Sequence, residues 1–316
     1  MRIYLLFVVF RYKIGLTYEK RSVDIIAGAD LSFVHLGITI QHMVKSFSIG
    51  GFSFAFYGLI IGIGMVCGVL MAQSDAKRRG QDPEMYLDFA MYGIVFAILG
   101  ARIYYVVFQW GYYKDHLTEI INLRKGGLAI YGGIIAAVIT LIVFTKKRKI
   151  SFFSMADSAV LGLVTGQIIG RWGNFVNCEA FGGYTDCLFA MRIKRSIVNA
   201  NMISQELIDN LIVENGIEYI QVHPTFLYES LWNLGVLLFM LWYRKRKKFD
   251  GEMMLIYFAG YGIGRTWIEG LRTDSLLVPG TGLAVSQMLS IGLAVISLGT
   301  LLYRRRKAAG EREGNS

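Results

Sequence analysis

Charge is scarce in this sequence: Asp, Glu, Lys and Arg make up 18% of its 316 residues, whereas 54% are hydrophobic. That balance excludes an ordinary water-soluble domain of this size and puts a membrane protein first. Cysteine is scarce as well. Cys67, Cys178 and Cys187 offer no paired framework and no close metal-ligand spacing, so neither a disulfide scaffold nor a zinc site is expected, and all three are read as packing residues. Internal repeats and low-complexity tracts are lacking. The apolar run Ile3 to Phe10 is too short to span a bilayer and has no small-residue cleavage site after it, which argues against both a helix and a signal peptide.

The charge that is present follows a pattern. Seven apolar segments, roughly 54–73, 85–108, 127–145, 155–175, 225–243, 252–269 and 282–303, approach the about 20 residues a helix needs to cross hydrocarbon. Basic runs follow the first, third, fifth and seventh: Lys77-Arg78-Arg79, Lys146 to Lys149, Arg244 to Lys248 and Arg304 to Lys307. Under the positive-inside rule this predicts an all-α integral membrane protein of about seven helices, with its N-terminus outside and residues 304–316 a cytoplasmic basic tail. The net charge of +10 then reports orientation and not nucleic-acid binding, with contacts to anionic membrane lipids as a secondary use.

Two longer loops, about 109–126 and 180–224, fall on the opposite side. The second is expected to form a small extracytoplasmic head with an amphipathic helix within Asn199 to Ile217. Residues 1–42 are expected to be an extension before the 43–303 catalytic domain, or an overlong start, because Met43 stands just ahead of Phe47-Ser48-Ile49-Gly50.

Ionisable groups inside spans are costly, about 2.5–3.5 kcal/mol for an arginine at a helix centre on insertion scales, so each calls for a reason. Under the topology above they gather at one depth: Tyr57, Arg102, Tyr131, then Arg171, Asn174, Asn177 and Glu179, then His223 and Glu229, then Arg265, Glu269 and Arg272. Arg265, Glu269 and Arg272 share one helical face by their i, i+4, i+7 spacing, and Arg171 and Asn174 lie one turn apart. His223-Pro224 reads as a helix start. Glycine pairs frame Tyr131 and permit close backbone approach. Taken singly, an arginine near a helix end snorkels to headgroups as readily as it binds substrate, and Tyr57 alone would pass for an interfacial aromatic. Glu229 and Asp157 are read as structural.

The stretch Gly170-Arg171-Trp172-Gly173-Asn174-Phe175-Val176-Asn177-Cys178-Glu179-Ala180-Phe181-Gly182 resembles the signature of the prolipoprotein diacylglyceryl transferases. The resemblance extends to Phe56-Tyr57-Gly58, Gly100-Ala101-Arg102, the Tyr131 segment, His223 to Glu229, and Arg265 with Glu269 and Arg272, covering about residues 47 to 303. It implies a bacterial plasma-membrane enzyme that moves the diacylglyceryl group of phosphatidylglycerol to the lipobox cysteine of a prolipoprotein signal peptide. A thioether forms, glycerol 1-phosphate leaves, and no metal or organic cofactor takes part. The catalytic candidates are Arg171, Arg265, Glu179, Glu269 and Tyr131; Tyr57, Asn174, Arg102, Asn177, Gly182, His223 and Arg272 are the substrate-binding ones. Members often carry histidine where this chain has Tyr131, and a phenol is the weaker proton acceptor at neutral pH, which leaves Glu179, Glu269 or His223 as alternatives. An anion transporter would place its charges near the midplane, with repeats or broken helices; a phospholipid-binding scaffold without catalysis is a third reading, favoured by the Tyr131 departure.

Overall fold

The computed structural model describes residues 30–49, 52–123 and 126–313. Each of the seven apolar segments is a helix: α1 (Phe56–Arg78), α2 (Glu84–Phe108), α3 (Ile130–Arg148), α4 (Phe152–Asn177), α6 (Thr225–Tyr243), α7 (Glu252–Glu269) and α8 (Val285–Glu313), with the short α5 (Gln205–Asp209) between α4 and α6. Among the described residues six helices are long and apolar enough to cross a membrane. The other long one, α7, has 18 residues and carries Glu252, Arg265 and Glu269. The chain is thus a multi-pass, mainly helical membrane protein.

By Cα proximity the chain divides into two compact units. One holds the described residues up to Gly64, Gly166–Val236 and Phe258–Leu298; the other holds Met65–Thr165, Leu237–Tyr257 and everything from Gly299 on. All four basic runs belong to the second.

In the second unit, α2 and α3 meet through glycine. A side chain at Gly132 would collide with the Gly100 carbonyl and Tyr104, so the two backbones touch where small residues permit it. In lipid, where no hydrophobic force drives helices together, such close packing is a main source of association. The basic runs of this unit are tied down by buried carboxylates. Asp157 accepts from the backbone N–H groups of Gly251 and Met254, and from Lys247 Nζ at 2.6 Å. It therefore satisfies free donors at the start of α7 from a neighbouring helix. Asp75 binds Arg78 and Arg244, and Glu252 binds Arg305 while accepting from Tyr243. In the segment expected as a basic tail, Arg304 to Lys307 continue α8, whose helix runs to Glu313. Their charge is offset by partners such as Glu252, so the helix has no reason to stop at the last apolar residue.

The first unit contains the head, and here the structure corrects the sequence. The 180–224 region is built on a sheet, and the helix expected within Asn199 to Ile217 shrinks to the five residues of α5. Strands β1 (Leu31–Phe33), β2 (Ile38–Ile40), β5 (Met191–Lys194), β6 (Ile212–Glu214) and β7 (Ile217–Val222) form an antiparallel sheet of order β2-β1-β5-β7-β6; β3 (Ser46–Ile49) and β4 (Phe52–Ala55) make a separate hairpin leading into α1. Residues 31–40, which the sequence placed in an extension before the 43–303 domain, thus pair into this sheet. Leu31 pairs with Ile193 and is only 1% exposed. It shares a core with Phe33, Phe181, Ile193, Val222 and Phe226, and the Phe33 ring stacks on Phe175 of α4. Burying these aliphatic and aromatic side chains supplies the driving force at roughly 25 cal/mol per Å² of apolar surface. The run Ile3 to Phe10 lies outside the described residues.

Candidate functional site

The centre of the first unit is a carboxylate. Glu229, one turn into α6, is 4% exposed and holds two arginines on its two oxygens: Arg171 Nη2 of α4 lies 2.5 Å from Oε2, and Arg265 Nη1 of α7 donates to Oε1 at 2.9 Å. Arg272 Nη1 stands 3.8 Å from Oε1. A buried carboxylate with no partner would be strongly destabilising, and so would any of these guanidinium groups; each makes the burial of the others tolerable. Glu229 was read from the sequence as structural. It is the group on which the three arginines converge, a counter-ion role consistent with that reading.

Glu269 completes the cluster. It is paired with Arg265 along α7, and its Oε1 accepts from Ser275 at 2.8 Å and Ser286 at 2.6 Å. Arg272 forks onto Asp274, Nε to Oδ1 at 2.9 Å and Nη2 to Oδ2 at 2.7 Å. Burial pushes the Asp274 carboxyl up, but the Arg272 guanidinium outweighs it and holds the group below the ordinary carboxylate range. Of the three arginines, Arg171 spends one N–H on Glu229 and keeps the rest of its fork uncommitted among the described residues. A planar fork with free donors, seated beside a second guanidinium, is suited to a phosphate.

The end of α4 explains the signature stretch. Cys178 and Ala180 both sit in the left-handed region, with φ of 53° and 55°, so the chain leaves the helix by a sharp turn. That turn brings Glu179 back over the last helical turn, where Asn174 Nδ2 donates to its Oε1 at 2.9 Å. Glu179 thus has an amide partner and, among the described residues, no arginine in a salt bridge. The Tyr57 ring packs on Gly173, where a side chain would come within 2.8 Å of it, placing Tyr57 beside the Arg171–Asn174 turn. Asn177 is the last residue of α4.

Gly182 is a junction. Its N–H donates to the His223 carbonyl at 2.9 Å, and Gly183 N–H donates to Leu271 O at 2.9 Å. Three strands of chain, from α4, into α6 and out of α7, are therefore laced together by backbone. A methyl at Gly182 would lie 2.7 Å from the Leu271 carbonyl oxygen and 2.8 Å from His223 Cβ, and backbone cannot yield there cheaply. The Gly182→Ala protein is expected to lose about 1–3 kcal/mol of stability to overpacking. Its melting temperature in detergent should fall, together with its activity; an unchanged melting temperature would show that the junction is slack.

His223 sits just ahead of α6, its Nδ1 3.3 Å from the Tyr228 hydroxyl, and the same hydroxyl lies 3.4 Å from Cys187 Sγ. Burial lowers the His223 pKa below its ordinary 6.5, against the opposing pull of Glu206. Cys187, read as a packing residue, is thus part of a polar chain as well.

Arg102 and Tyr131 belong to the other unit. Arg102 was expected to bind substrate, but it is 5% exposed and donates five hydrogen bonds to carbonyls: Nε to Ile120, Nη1 to Gly126 and Gly127, Nη2 to Glu119 and Asn122. A guanidinium has five N–H groups, so none is left for a ligand. Gly126 and Gly127 take φ of 79° and 74°, which turns their carbonyls to this one cation. Arg102 pins the loop that leads to α3, where Tyr131 is the second residue and is substantially exposed.

The family model described as "Prolipoprotein diacylglyceryl transferase" matches residues 45–303. A protein of Geobacillus kaustophilus named phosphatidylglycerol–prolipoprotein diacylglyceryl transferase is 42% identical over 270 residues, 85% of this chain and 95% of its own length. Proteins of the same name from Bacillus cereus and Bacillus anthracis are each 40% identical, over 277 residues (88% and 97%) and 264 residues (84% and 93%) respectively.

Proposed function

Because the chain belongs to the prolipoprotein diacylglyceryl transferase family, we propose that the arginine cluster around Glu229 is the place where it performs that family's reaction. The protein transfers the diacylglyceryl group of phosphatidylglycerol to prolipoproteins, the first step of lipoprotein maturation. The observation that carries the assignment of the site is the pair Arg171 and Arg265 on opposite oxygens of one buried carboxylate, with Arg171 donors to spare.

In this reading the phosphate of phosphatidylglycerol docks on Arg171 and Arg265, and Arg272 adds positive potential. Asn174, Asn177 and Tyr57 hydrogen-bond glycerol or phosphate oxygens. The lipobox thiol loses its proton, its sulfur forms a bond to the sp³ carbon, the C–O bond to phosphate breaks, and the electron pair leaves on glycerol 1-phosphate. The arginines stabilise that leaving group as charge develops, with little reorganisation, because Glu229 already holds them in place. Glu229 and Glu269 are engaged by arginine, as counter-ions within the cluster. We assign the thiol proton to Glu179 or His223: the first takes a hydrogen bond from the Asn174 amide, and burial lowers the pKa of the second below its ordinary 6.5. The basic runs support seven spans with the N-terminus outside, and hence chemistry on the extracytoplasmic face of the bacterial plasma membrane, where acyl tails remain in lipid while the peptide approaches.

The test is incubation of the purified protein with phosphatidylglycerol and a lipobox peptide. Thioether peptide and released glycerol phosphate are expected; lipid binding without product, or anion flux across vesicles, would mean a scaffold or a transporter. The pH profile then separates the two bases. With His223 as acceptor, kcat/KM falls on the acid side below pH 6.5, because burial holds its pKa beneath that value, and His223→Gln removes this inflection. A profile that His223→Gln leaves unchanged assigns the proton to Glu179.

A further inference from the structure

Between Asp274 and Arg304 the chain carries no charged residue, although only the later part of that stretch is the α8 helix. The earlier part, after Arg272 and Asp274, folds as a small hairpin. Val278 N–H donates to Leu283 O at 2.9 Å, Val285 N–H to Leu276 O at 2.9 Å, and Leu277 bridges to Ala284. Gly280 and Gly282, with φ of 80° and 66°, make the turn, and Thr281 Oγ1 donates to Val278 O at 3.0 Å. The hairpin is therefore preformed by its own backbone bonds. Its apolar side chains are nonetheless uncovered: Leu276 is 77% exposed, Leu277 58% and Leu283 41%. Because neighbours in a strand point to opposite faces, Leu276 and Leu277 leave both faces apolar.

We propose that residues 275–284 are an interfacial anchor whose partner is the phospholipid leaflet. A single exposed leucine needs no explanation, but an ordered, charge-free hairpin with leucines on both faces, continuous with a membrane helix, is covered by lipid at no extra cost in polar burial. Its base is bonded to the arginine cluster: Ser275 donates to Glu269 at 2.8 Å, and Asp274 holds Arg272. Seating the tip in the leaflet therefore fixes the height of Arg272 and Glu269 at the level of the lipid phosphates. The anchor governs the capture of bilayer lipid, not the chemistry that follows.

This inference rests on the transferase reading for its kinetic consequence but not for its location. Location is read with a spin label at Leu276→Cys, in a protein with Cys67 and Cys187 changed to serine, reconstituted in phosphatidylglycerol vesicles. Collisions with oxygen should exceed those with a water-soluble nickel chelate; the reverse overturns the proposal whether or not the protein is active. For the consequence, the Leu276→Ser, Leu277→Ser double variant should show KM for vesicle phosphatidylglycerol raised on the order of tenfold, about 1.4 kcal/mol of affinity, with kcat unchanged. KM for a monomeric short-chain phosphatidylglycerol should not move. An equal rise for both lipids, or no rise for the vesicles, overturns it.

Discussion

Replacing Arg171 with alanine is expected to lower kcat for diacylglyceryl transfer by about 10²–10³-fold, as removal of one preorganised donor to a developing anion does elsewhere. The loss should fall on kcat more than on KM. Arg171 meets the phosphate of the bound lipid, but its full worth is realised only when negative charge builds on the departing oxygen. Arg171→Lys keeps the charge and loses the fork, so it should recover part of the rate and not all of it. The measurement is single-turnover transfer to a lipobox peptide, with membrane insertion and melting temperature compared alongside. Full turnover in a properly inserted Arg171→Ala protein would remove this residue from the reaction.

The second large effect is on stability. Glu229 is the shared counter-ion of Arg171 and Arg265, with Arg272 nearby, so Glu229→Ala leaves buried guanidinium groups uncompensated. Breaking a buried ion pair from one side costs about 3–5 kcal/mol. The melting temperature in detergent should drop steeply. Glu229→Gln keeps an oxygen acceptor for one arginine and should lie between alanine and the native protein. Should Glu229→Ala melt like the native protein, the carboxylate is a bystander and the arginines are held by something else.

Much of this architecture was readable in the chain. Long apolar runs closed by Lys and Arg specify membrane helices because burying a charge in hydrocarbon is so costly, and all seven runs are helical. The i, i+4 spacing of Arg265 and Glu269 likewise puts them on one face of α7, where they pair; Arg272, expected on the same face, lies just past the end of the helix and reaches Glu269 from the following turn. Other features carried no local signal. Glu229 is a lone acid in an apolar helix, and nothing in its own neighbourhood reveals that Arg171 and Arg265 approach from elsewhere in sequence. Arg102 has a charge at a plausible depth, but the sequence is silent about the five carbonyls that saturate it. The head sheet was missed because strands of three to six residues have too little periodicity to be seen, and because β1 pairs with β5 across most of the chain.

That last pairing has a bearing on how the molecule is made. β1 emerges from the ribosome before α1, yet the edge it shares with β5 does not exist until α1, α2, α3 and α4 have been synthesised. Throughout that interval Leu31 and Phe33 have no core to enter, and the strand's peptide groups toward β5 lack a mate. Closure of so long a loop is entropically slow. Assembly of the head is therefore a late event, and folding of this unit waits on the far half of the chain.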